Sequence, residues 1–205
     1  MNQKRGKIFF ISGPSGVGKG TLIDALRTRH PELVFPPSCT TRSPRPGEKE
    51  GETYYFISKE AFQAKIEAGD FLEYAVVHGG NFYGTLKDPL LAPIEAGKNV
   101  IREFDVQGFA QARERLDRND FVSIFLQPAE DVEALVERIR ARAPISDEEV
   151  AKRVTSMQKE LDMAHIYDHQ ITSRAGEIEA LIQDAETIIN GRKGWWQRCL
   201  DRLKQ

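Results

Sequence analysis

Short apolar segments alternate with longer amphipathic segments along much of the chain. The apolar segments have the length and continuity of strands buried on both faces of a parallel sheet, and they lie at 7–12, 99–104, 121–126 and 169–172. The amphipathic segments have the spacing of surface helices, and they lie at 20–29, 108–116, 130–142, 147–165 and 176–189. This alternation predicts an α/β fold in which helices cover both faces of a parallel sheet.

Residues 35–97 interrupt the alternation. They are rich in Pro, Gly, Tyr and Arg, and they contain strand-like pieces at 54–57 and 71–77 around a helical piece at 59–68. We interpret this region as an inserted lobe that binds a substrate. The predicted organisation is one domain with a core at 1–34 and 98–192, this lobe, and a C-terminal extension helix at 193–205.

A second interruption, at 142–149, reads RAPISDEE. Pro144 separates two helical segments, because a proline disrupts the interior of a helix. Ser146 and Glu149 have the spacing of a capping box that starts the second helix. We therefore expect a hinged lid at about 140–150.

The composition is that of an ordinary globular protein. Of 205 residues, 40% are hydrophobic and 29% are charged, which is enough to bury the core of one domain. The 29 Lys and Arg nearly balance the 31 Asp and Glu, so no overall field attracts nucleic acid or an anionic membrane. The N-terminal apolar run ends at Ile11 and is too short for a signal peptide or a membrane span. We expect a cytoplasmic protein with reduced thiols at Cys39 and Cys199.

Residues 13–21 read GPSGVGKGT and lie between a predicted strand and a predicted helix. They match the phosphate-binding pattern G-x-x-x-x-G-K-[ST] except at its last position. In that setting backbone N–H groups converge on phosphate oxygens, glycines allow close approach, and the lysine reaches the outer phosphates. The predicted ligand is a nucleoside triphosphate, bound by Gly13, Pro14, Ser15, Gly16, Val17, Gly18, Lys19, Gly20 and Thr21.

Gly20 stands where the pattern has a hydroxyl that binds the metal ion. Thr21 follows directly and presents its own hydroxyl from the first helical turn. Mg²⁺ usually keeps several waters and binds mainly through nucleotide phosphates plus one or two protein carboxylates. We therefore expect Mg²⁺ to be held loosely at this loop, through water.

Residues 38–56 read SCTTRSPRPGEKEGETYYF. Arg42 and Arg45 flank a turn stiffened by proline, so their guanidinium groups form a fork for a second phosphate. Tyr54 and Tyr83 add phenol hydroxyls that can donate to phosphate oxygens. The sequence therefore predicts a second anion site in the lobe.

Together these segments resemble guanylate kinases, which transfer the terminal phosphoryl group of ATP to GMP. The resemblance covers nearly the whole chain up to about residue 190. It rests on GPSGVGKGT at 13–21, SCTTRSPRPGE at 38–48, the aromatics of 54–56, FLEYA at 71–75, NFYGT at 81–85, FDVQG at 104–108 and the arginines of the lid. Such a set of motifs in this order is highly specific.

The resemblance implies two groups of substrate-binding residues in the lobe. The GMP phosphate is held by Arg42, Arg45, Tyr54 and Tyr83, the guanine is faced by Ser38, Glu73 and Thr85, and Glu48, Gly84 and Asp105 complete the set. The chemistry of the second group agrees independently, because a carboxylate accepts from guanine N1–H and N2–H₂ while hydroxyls donate to O6. The alternative for Glu73 is a solvent-facing carboxylate on a strand.

Glu103 and Asp105 lie on the same face at the carboxyl end of a predicted strand, where ligands bind in such sheets. The resembled family has Asp-x-Asp here, so Glu103 is a departure. We predict that Glu103 and Thr21 are the protein's magnesium ligands, with Glu103 acting through water. Further departures are Thr53 in place of an aspartate, RAP at 142–144 in place of Arg-Gly-Thr, and Ser173 in place of an asparagine. The last two concern the ATP side.

Arginines near the lid form a third predicted cluster. Arg138 and Arg142 share one helix face at i, i+4 spacing, and Arg153 arrives from the helix after the lid. In the resembled enzymes the matching arginines clamp the ATP phosphates and the transferring group. A solvated helix face is an equal interpretation for Arg138 and the preferred one for Arg140. The predicted catalytic set is Lys19, Arg42, Arg138, Arg142 and Arg153.

The resemblance implies an Mg²⁺-dependent kinase of purine nucleotide metabolism, with ATP and GMP as substrates and dGMP use left open. We expect a monomer or homo-oligomer that binds neither nucleic acid nor membrane. Non-catalytic guanylate-kinase-like modules that bind phosphopeptides are one alternative, but they differ most in the phosphate loop, so an intact Gly18-Lys19 favours catalysis. A kinase for ribose bisphosphate is another, and it would not need Ser38, Glu73 and Thr85 together.

The C-terminal tail, 191–205, carries the adjacent aromatic residues Trp195 and Trp196. Such a pair is compatible with binding to a membrane surface or to a partner. We favour a terminal helix packed on its own domain or on a sister subunit, because the tail has a single short apolar face.

Overall fold

The computed structural model describes residues 5–77, 80–130, 134–137, 140 and 146–191. These residues form two compact units, the first comprising 5–10 with 32–122 and the second 11–31 with 123–191. The predicted extension helix at 193–205 and residues 141–145 of the predicted lid lie outside the described residues.

Strands and helices alternate along the chain. The strands are β1 (Ile8–Ser12), β2 (Ser38–Thr40), β3 (Tyr54–Phe56), β4 (Phe71–Val77), β5 (Asn81–Leu86), β6 (Val100–Glu103), β7 (Phe121–Pro128) and β8 (His169–Ser173). The helices are α1 (Lys19–Arg29), α2 (Lys59–Glu67), α3 (Asp88–Glu95), α4 (Val106–Arg115), α5 (Asp147–Asp162) and α6 (Ile178–Ile189). Residues 134–137 and 140 are also helical, within the segment predicted as a helix at 130–142.

The strands predicted from continuous apolar runs form one sheet, in the order β6-β1-β7-β8. Every residue of β1 is buried, as expected for a strand covered on both faces. β7 and β8 pair in parallel from Ile124 opposite His169 to Pro128 opposite Ser173. The predicted α/β fold with a parallel sheet is therefore confirmed.

The lobe region contains a second sheet, in the order β3-β2-β5-β4. β5 runs antiparallel to both β2 and β4, and β2 pairs in parallel with β3. The sequence pattern predicted β3, β4 and α2 but missed β2, β5 and α3. β2 has only three residues and β5 contains a glycine, so pairing with distant strands, rather than local pattern, makes them strands.

A glycine in β5 is explained by packing. Gly84 is buried, and a Cβ atom placed there would lie 2.9 Å from the rings of Phe62 and Phe71. These two rings stack at a centroid distance of 4.3 Å and, with Cys39, form the core of the lobe sheet. The absence of a side chain at position 84 lets the aromatic pair reach the sheet.

Side chains cap the starts of α4 and α5. At the start of α5, Ser146 Oγ accepts a hydrogen bond from the Glu149 backbone N–H at 3.2 Å, as the predicted cap requires. α4 begins at Val106, earlier than predicted, because the Asp105 side chain caps it. Among the described residues, no helix is long and apolar enough to cross a membrane.

Candidate functional site

The phosphate loop connects the end of β1 to the start of α1. Gly18 is the N-cap of α1 and has φ of 105°, a left-handed conformation that glycine adopts without strain. Gly13 also requires glycine, because a Cβ atom there would lie 2.6 Å from the Leu126 carbonyl oxygen. Residues Pro14 to Val17 connect these two glycines. The loop therefore has a glycine, without a side chain, at each end.

Lys19, the first residue of α1, folds back over this loop. Its Nζ donates to the carbonyl oxygens of Gly13 and Pro14, the second at 3.2 Å. The ammonium group therefore lies beside the same backbone segment whose N–H groups can face an anion. This is the position from which a lysine can reach bound phosphate.

Ser173, at the end of β8, anchors the loop. Its hydroxyl donates to the Val17 carbonyl oxygen at 2.7 Å, and both residues are buried. Sequence analysis marked Ser173 as a departure from the family pattern but did not predict this contact. The serine at position 173 thus holds the loop through this hydrogen bond.

The residues predicted to bind magnesium have suitable donors. Thr21 is exposed in the first turn of α1, and Glu103 is exposed at the end of β6. A hydroxyl and a carboxylate are oxygen donors of the kind that Mg²⁺ takes alongside nucleotide phosphates. The described residues contain no group of three or more His, Cys, Asp or Glu that could hold a metal by itself. Space around Gly20 is open, since a Cβ atom there would meet nothing within 4 Å.

The predicted acceptor-phosphate residues cluster in the lobe around Arg42. Both terminal nitrogens of Arg42 donate to the Glu48 carboxylate at 2.8 Å, and its Nε donates to the Tyr83 hydroxyl at 3.0 Å. The Arg45 backbone N–H donates to the same carboxylate at 2.7 Å, while the Arg45 side chain is exposed. The ring of Tyr54 lies 5.5 Å from the Arg42 guanidinium carbon. The cluster therefore holds Arg42 in one orientation beside an exposed second arginine.

Glu48 is the electrostatic partner of this cluster. Its hydrogen bonds from the Arg42 side chain and from the Arg45 backbone lower the pKa of the carboxyl to about 2. Glu48 is thus ionised throughout the physiological range, and it positions the arginine by a bidentate, charge-assisted contact.

The predicted guanine-facing residues also come together. Glu73 on β4 lies opposite Thr85 on β5, and the Thr85 hydroxyl donates to Glu73 Oε1 at 2.6 Å. Thr85 is only 1% exposed, and burial raises the pKa of Glu73 while the Thr85 hydrogen bond opposes that rise. The alternative of a solvent-facing Glu73 is excluded, because its carboxylate is partly buried and hydrogen-bonded.

Arg102 on β6 connects this pair to Ser38, and sequence analysis missed it. Its Nη2 donates to Ser38 Oγ and to Thr85 Oγ1, the second at 2.9 Å. Its Nη1 donates to the Pro36 carbonyl oxygen at 2.9 Å. The sequence did indicate a polar contact here, because an arginine within the apolar run 99–104 needs buried polar partners.

Asp105 has a structural contact at the start of α4. Its Oδ1 accepts from the Gly108 backbone N–H at 2.6 Å, and its charge raises the pKa of Glu73. A Cβ atom at Gly108 would lie 3.6 Å from Glu73 Oε2 and 3.3 Å from Asp105 Oδ1. The backbone at Gly108 therefore lies next to both carboxylates.

The predicted lid arginines are described only in part. Arg138 and Arg142 lie outside the described residues. Arg153 pairs with Glu149 at 2.6 Å on the same helix, and it is partly exposed. Arg140 pairs with Asp147 at 2.7 Å and is exposed, which agrees with its interpretation as part of a solvated face.

Known proteins match the chain over most of its length. A family model for guanylate kinase matches residues 5–191. A guanylate kinase from Trichormus variabilis is 42% identical over 190 residues, which make up 93% of this chain and 92% of that protein. A guanylate kinase from Clostridium perfringens is 38% identical over 202 residues, covering 98% of this chain and 88% of that protein.

A solved structure agrees with these sequence matches. The crystal structure of a guanylate kinase from Anaplasma phagocytophilum is 28% identical to the chain and superposes with a TM-score of 0.68. The match covers 95% of this chain and 90% of that one. Likeness in sequence and in fold thus extends over both compact units.

Proposed function

The chain belongs to the guanylate kinase family, and on that premise we propose that it transfers the γ-phosphoryl group of ATP to GMP, giving ADP and GDP. The observation that carries the proposal is the hydrogen-bonded set of Ser38, Thr85 and Glu73 in the lobe. Its donors and acceptor match the 6-oxo, N1–H and N2–H₂ groups of guanine. A phosphopeptide or a ribose bisphosphate does not offer this combination of acceptor and donors.

The lobe, residues 35–97, is the GMP-binding region in this proposal, and the core comprises 1–34 and 98–192. Glu73 accepts from the base, and Ser38 and Thr85 lie at its 6-oxo side. Arg42, Arg45, Tyr54 and Tyr83 bind the GMP phosphate, with Glu48 holding Arg42 in orientation. Gly84 supports the base site through packing, and Asp105 fixes the helix start beside Glu73.

ATP binds through the phosphate loop, residues 13–21. Backbone N–H groups contact the phosphate oxygens, and Lys19 neutralises charge on the outer phosphates. Arg138, Arg142 and Arg153 complete the cationic set around the transferring group. Thr21 and Glu103 would hold Mg²⁺, Glu103 through water, and the bound ion would supply positive charge that stabilises the phosphate groups.

The chemical step needs no covalent intermediate on the protein. An oxygen of the GMP phosphate attacks the γ-phosphorus in line, and the bond from that phosphorus to the β,γ-bridging oxygen breaks. In this proposal Lys19 and the arginines stabilise the negative charge that develops, and orientation of the two substrates lowers the entropic part of the barrier. We place the enzyme in the cytoplasm, where it acts in purine nucleotide metabolism without nucleic acid or membrane partners.

A coupled assay of ADP release tests this proposal. The purified chain is incubated with ATP and each of GMP, AMP, UMP, CMP and ribose 1,5-bisphosphate, with Mg²⁺ and with a chelator. We expect turnover with GMP and Mg²⁺, turnover slower by about 10²-fold or more with the other acceptors, and loss of turnover on chelation. Equal rates with GMP and AMP, or binding of GMP without turnover, would contradict it.

A further inference from the structure

Arg102 occupies a position in β6 at which an apolar residue would be expected. It follows the buried residues Val100 and Ile101 in β6, and its guanidinium carbon lies 5.5 Å from the ring of Phe104. Its Nε is shielded from solvent and has no hydrogen-bond partner among the described residues. A buried donor without a partner is costly, so stability alone would favour a hydrocarbon side chain at this position. The arginine must be explained by what its other nitrogens hold.

The contacts of Arg102 fix the direction of two hydroxyl hydrogen bonds. A guanidinium group only donates, so the Ser38 and Thr85 hydroxyl oxygens both act as acceptors toward Arg102. Thr85 donates its single hydrogen to Glu73 Oε1. The Ser38 hydroxyl then keeps its hydrogen for a ligand, and Arg102 occupies one of its two acceptor lone pairs, which favours an orientation in which the hydroxyl donates.

We propose that Arg102 is a positioning residue that sets base specificity, by orienting the Ser38 hydroxyl to donate to the 6-oxo group of guanine and the Thr85 hydroxyl to donate to Glu73. This inference rests on the proposed function and deepens it. Arg102 acts through the two hydroxyls and is not a catalytic residue.

The charges reinforce the same preference. The Thr85 hydroxyl lies between a cation and an anion, because it accepts from Arg102 and donates to Glu73. Guanine presents an acceptor at position 6 and donors at N1 and N2, whereas adenine presents a donor at position 6 and an acceptor at N1. A fixed pair of opposite charges therefore favours guanine and disfavours adenine. Burial raises the pKa of Glu73, and the Arg102 charge opposes that rise.

The test compares GMP with 6-thio-GMP, which keeps both ring donors but carries a weaker acceptor at position 6. The variants are Arg102→Met, which keeps much of the volume but loses every donor, and Arg102→Lys, which keeps the charge but not the planar fork. The matched control is Arg115→Met, because Arg115 also donates to the lobe, at the Leu72 carbonyl oxygen, 2.7 Å away. Values of kcat and KM are measured for both nucleotides and for ATP, together with the Tm of each protein.

The expected result is a change in base selectivity with little change in the chemical step. In Arg102→Met, KM for GMP rises about tenfold and the preference for GMP over 6-thio-GMP falls by about tenfold, the size expected for losing an oriented hydrogen bond. KM for ATP and kcat stay within about threefold of the wild type. Arg102→Lys is intermediate, and Arg115→Met keeps the wild-type preference even if its Tm falls.

Combining the substitution with Ser38→Ala separates orientation from support of the fold. The preference for GMP over 6-thio-GMP is measured after Arg102→Met in two backgrounds, the wild type and Ser38→Ala. If Arg102 acts through Ser38, Arg102→Met changes this preference far less in the Ser38→Ala background. A folded Arg102→Met protein with a lower Tm but an unchanged preference would overturn the inference. If Arg102→Met does not fold, Arg102→Lys decides: a reduced preference supports the inference, and an unchanged one overturns it. Failure of the proposed function is seen separately, as absence of GMP turnover in the wild-type protein.

Discussion

The phosphate loop and the lobe, the two binding regions of the proposed function, are built by different means. In the loop the contacts are made by backbone atoms and by one lysine, and Lys19 reaches carbonyl groups only five and six positions away along the chain. In the lobe the contacts join side chains, and Arg102 and Ser38 are 64 positions apart while Arg42 and Tyr83 are 41 apart. A backbone site depends on conformation, whereas a side-chain site depends on every partner in its hydrogen-bond network.

The difference predicts that the loop has one indispensable side chain. Lys19→Met should lower kcat by about 10³-fold or more, because it removes the charge that neutralises the transferring group while leaving the loop backbone intact. The coupled ADP-release assay measures the rate, and thermal unfolding shows that the fold survives.

The matched control for this change is Lys152→Met. Lys152 pairs with Glu148 on the exposed face of α5 at 2.7 Å, so its loss should leave the rate within about twofold of the wild type. A Lys19→Met protein that retained about a tenth or more of wild-type turnover would remove the lysine from the proposed mechanism.

In the lobe, the largest effect should come from the carboxylate. Glu73→Gln keeps the shape of the side chain but replaces an acceptor oxygen by a donor, which mispairs with guanine N1–H and N2–H₂. We expect kcat/KM for GMP to fall by about 10²-fold, with KM for ATP nearly unchanged. Glu67→Gln, at an exposed carboxylate that accepts from Gln63 at 3.4 Å, is the control and should behave as the wild type.

The same substitution should change the pH profile. Burial raises the pKa of Glu73 above its ordinary value of 4.5, and base binding needs the charged form, so kcat/KM for GMP falls as pH drops through the raised pKa. Glu73→Gln has no such group and should lose this acid limb. The GMP phosphate titrates as well, so the limb is read from the difference between the two proteins in the same buffers. Identical profiles would show that Glu73 does not bind the base.

Two glycine substitutions compare packing in the lobe with open space at the loop. Gly84→Ala should lower the free energy of unfolding by about 1 to 3 kcal/mol, because its Cβ would lie 2.9 Å from the Phe62 and Phe71 rings. Gly20→Ala meets nothing within 4 Å and lies in α1, so it should stabilise the protein by up to about 1 kcal/mol. Denaturant unfolding measures both. Equal effects would mean that the lobe core accommodates the methyl group by moving.

The smallest effect expected is at the loop anchor. Ser173→Ala removes the donor to the Val17 carbonyl oxygen, so KM for ATP should rise about fivefold while KM for GMP stays constant. Ser156→Ala, which removes a hydroxyl bonded to Glu160 on the exposed face of α5, serves as the control. A rise in KM for GMP alone would show that Ser173 does not act through the phosphate loop.

Much of the fold followed from local patterns, and part of the lobe did not. Continuous apolar runs identified the strands of the parallel sheet, and the Asn- and Gly-containing segment of β5 carried no comparable signal. The lobe residues Ser38, Glu73 and Thr85 were predicted from their chemistry and their family resemblance, and the structure brings them into one hydrogen-bonded set. Arg102 was missed, because a lone arginine in an apolar run specifies that it needs partners but not which ones.

Three features follow from the sequence alone: the alternation of strands and helices, the glycine and lysine positions of the phosphate loop, and the kinds of donor and acceptor present in the lobe. These features are local, since they depend on residues close together in the chain and on the conformations those residues allow. The tertiary structure decided which side chains share hydrogen bonds: Glu48 with Arg42, Thr85 with Glu73, Ser173 with Val17, and Arg102 with Ser38. Most of these pairings depend on strand register and burial, which bring residues far apart in the chain within hydrogen-bonding distance, about 3 Å.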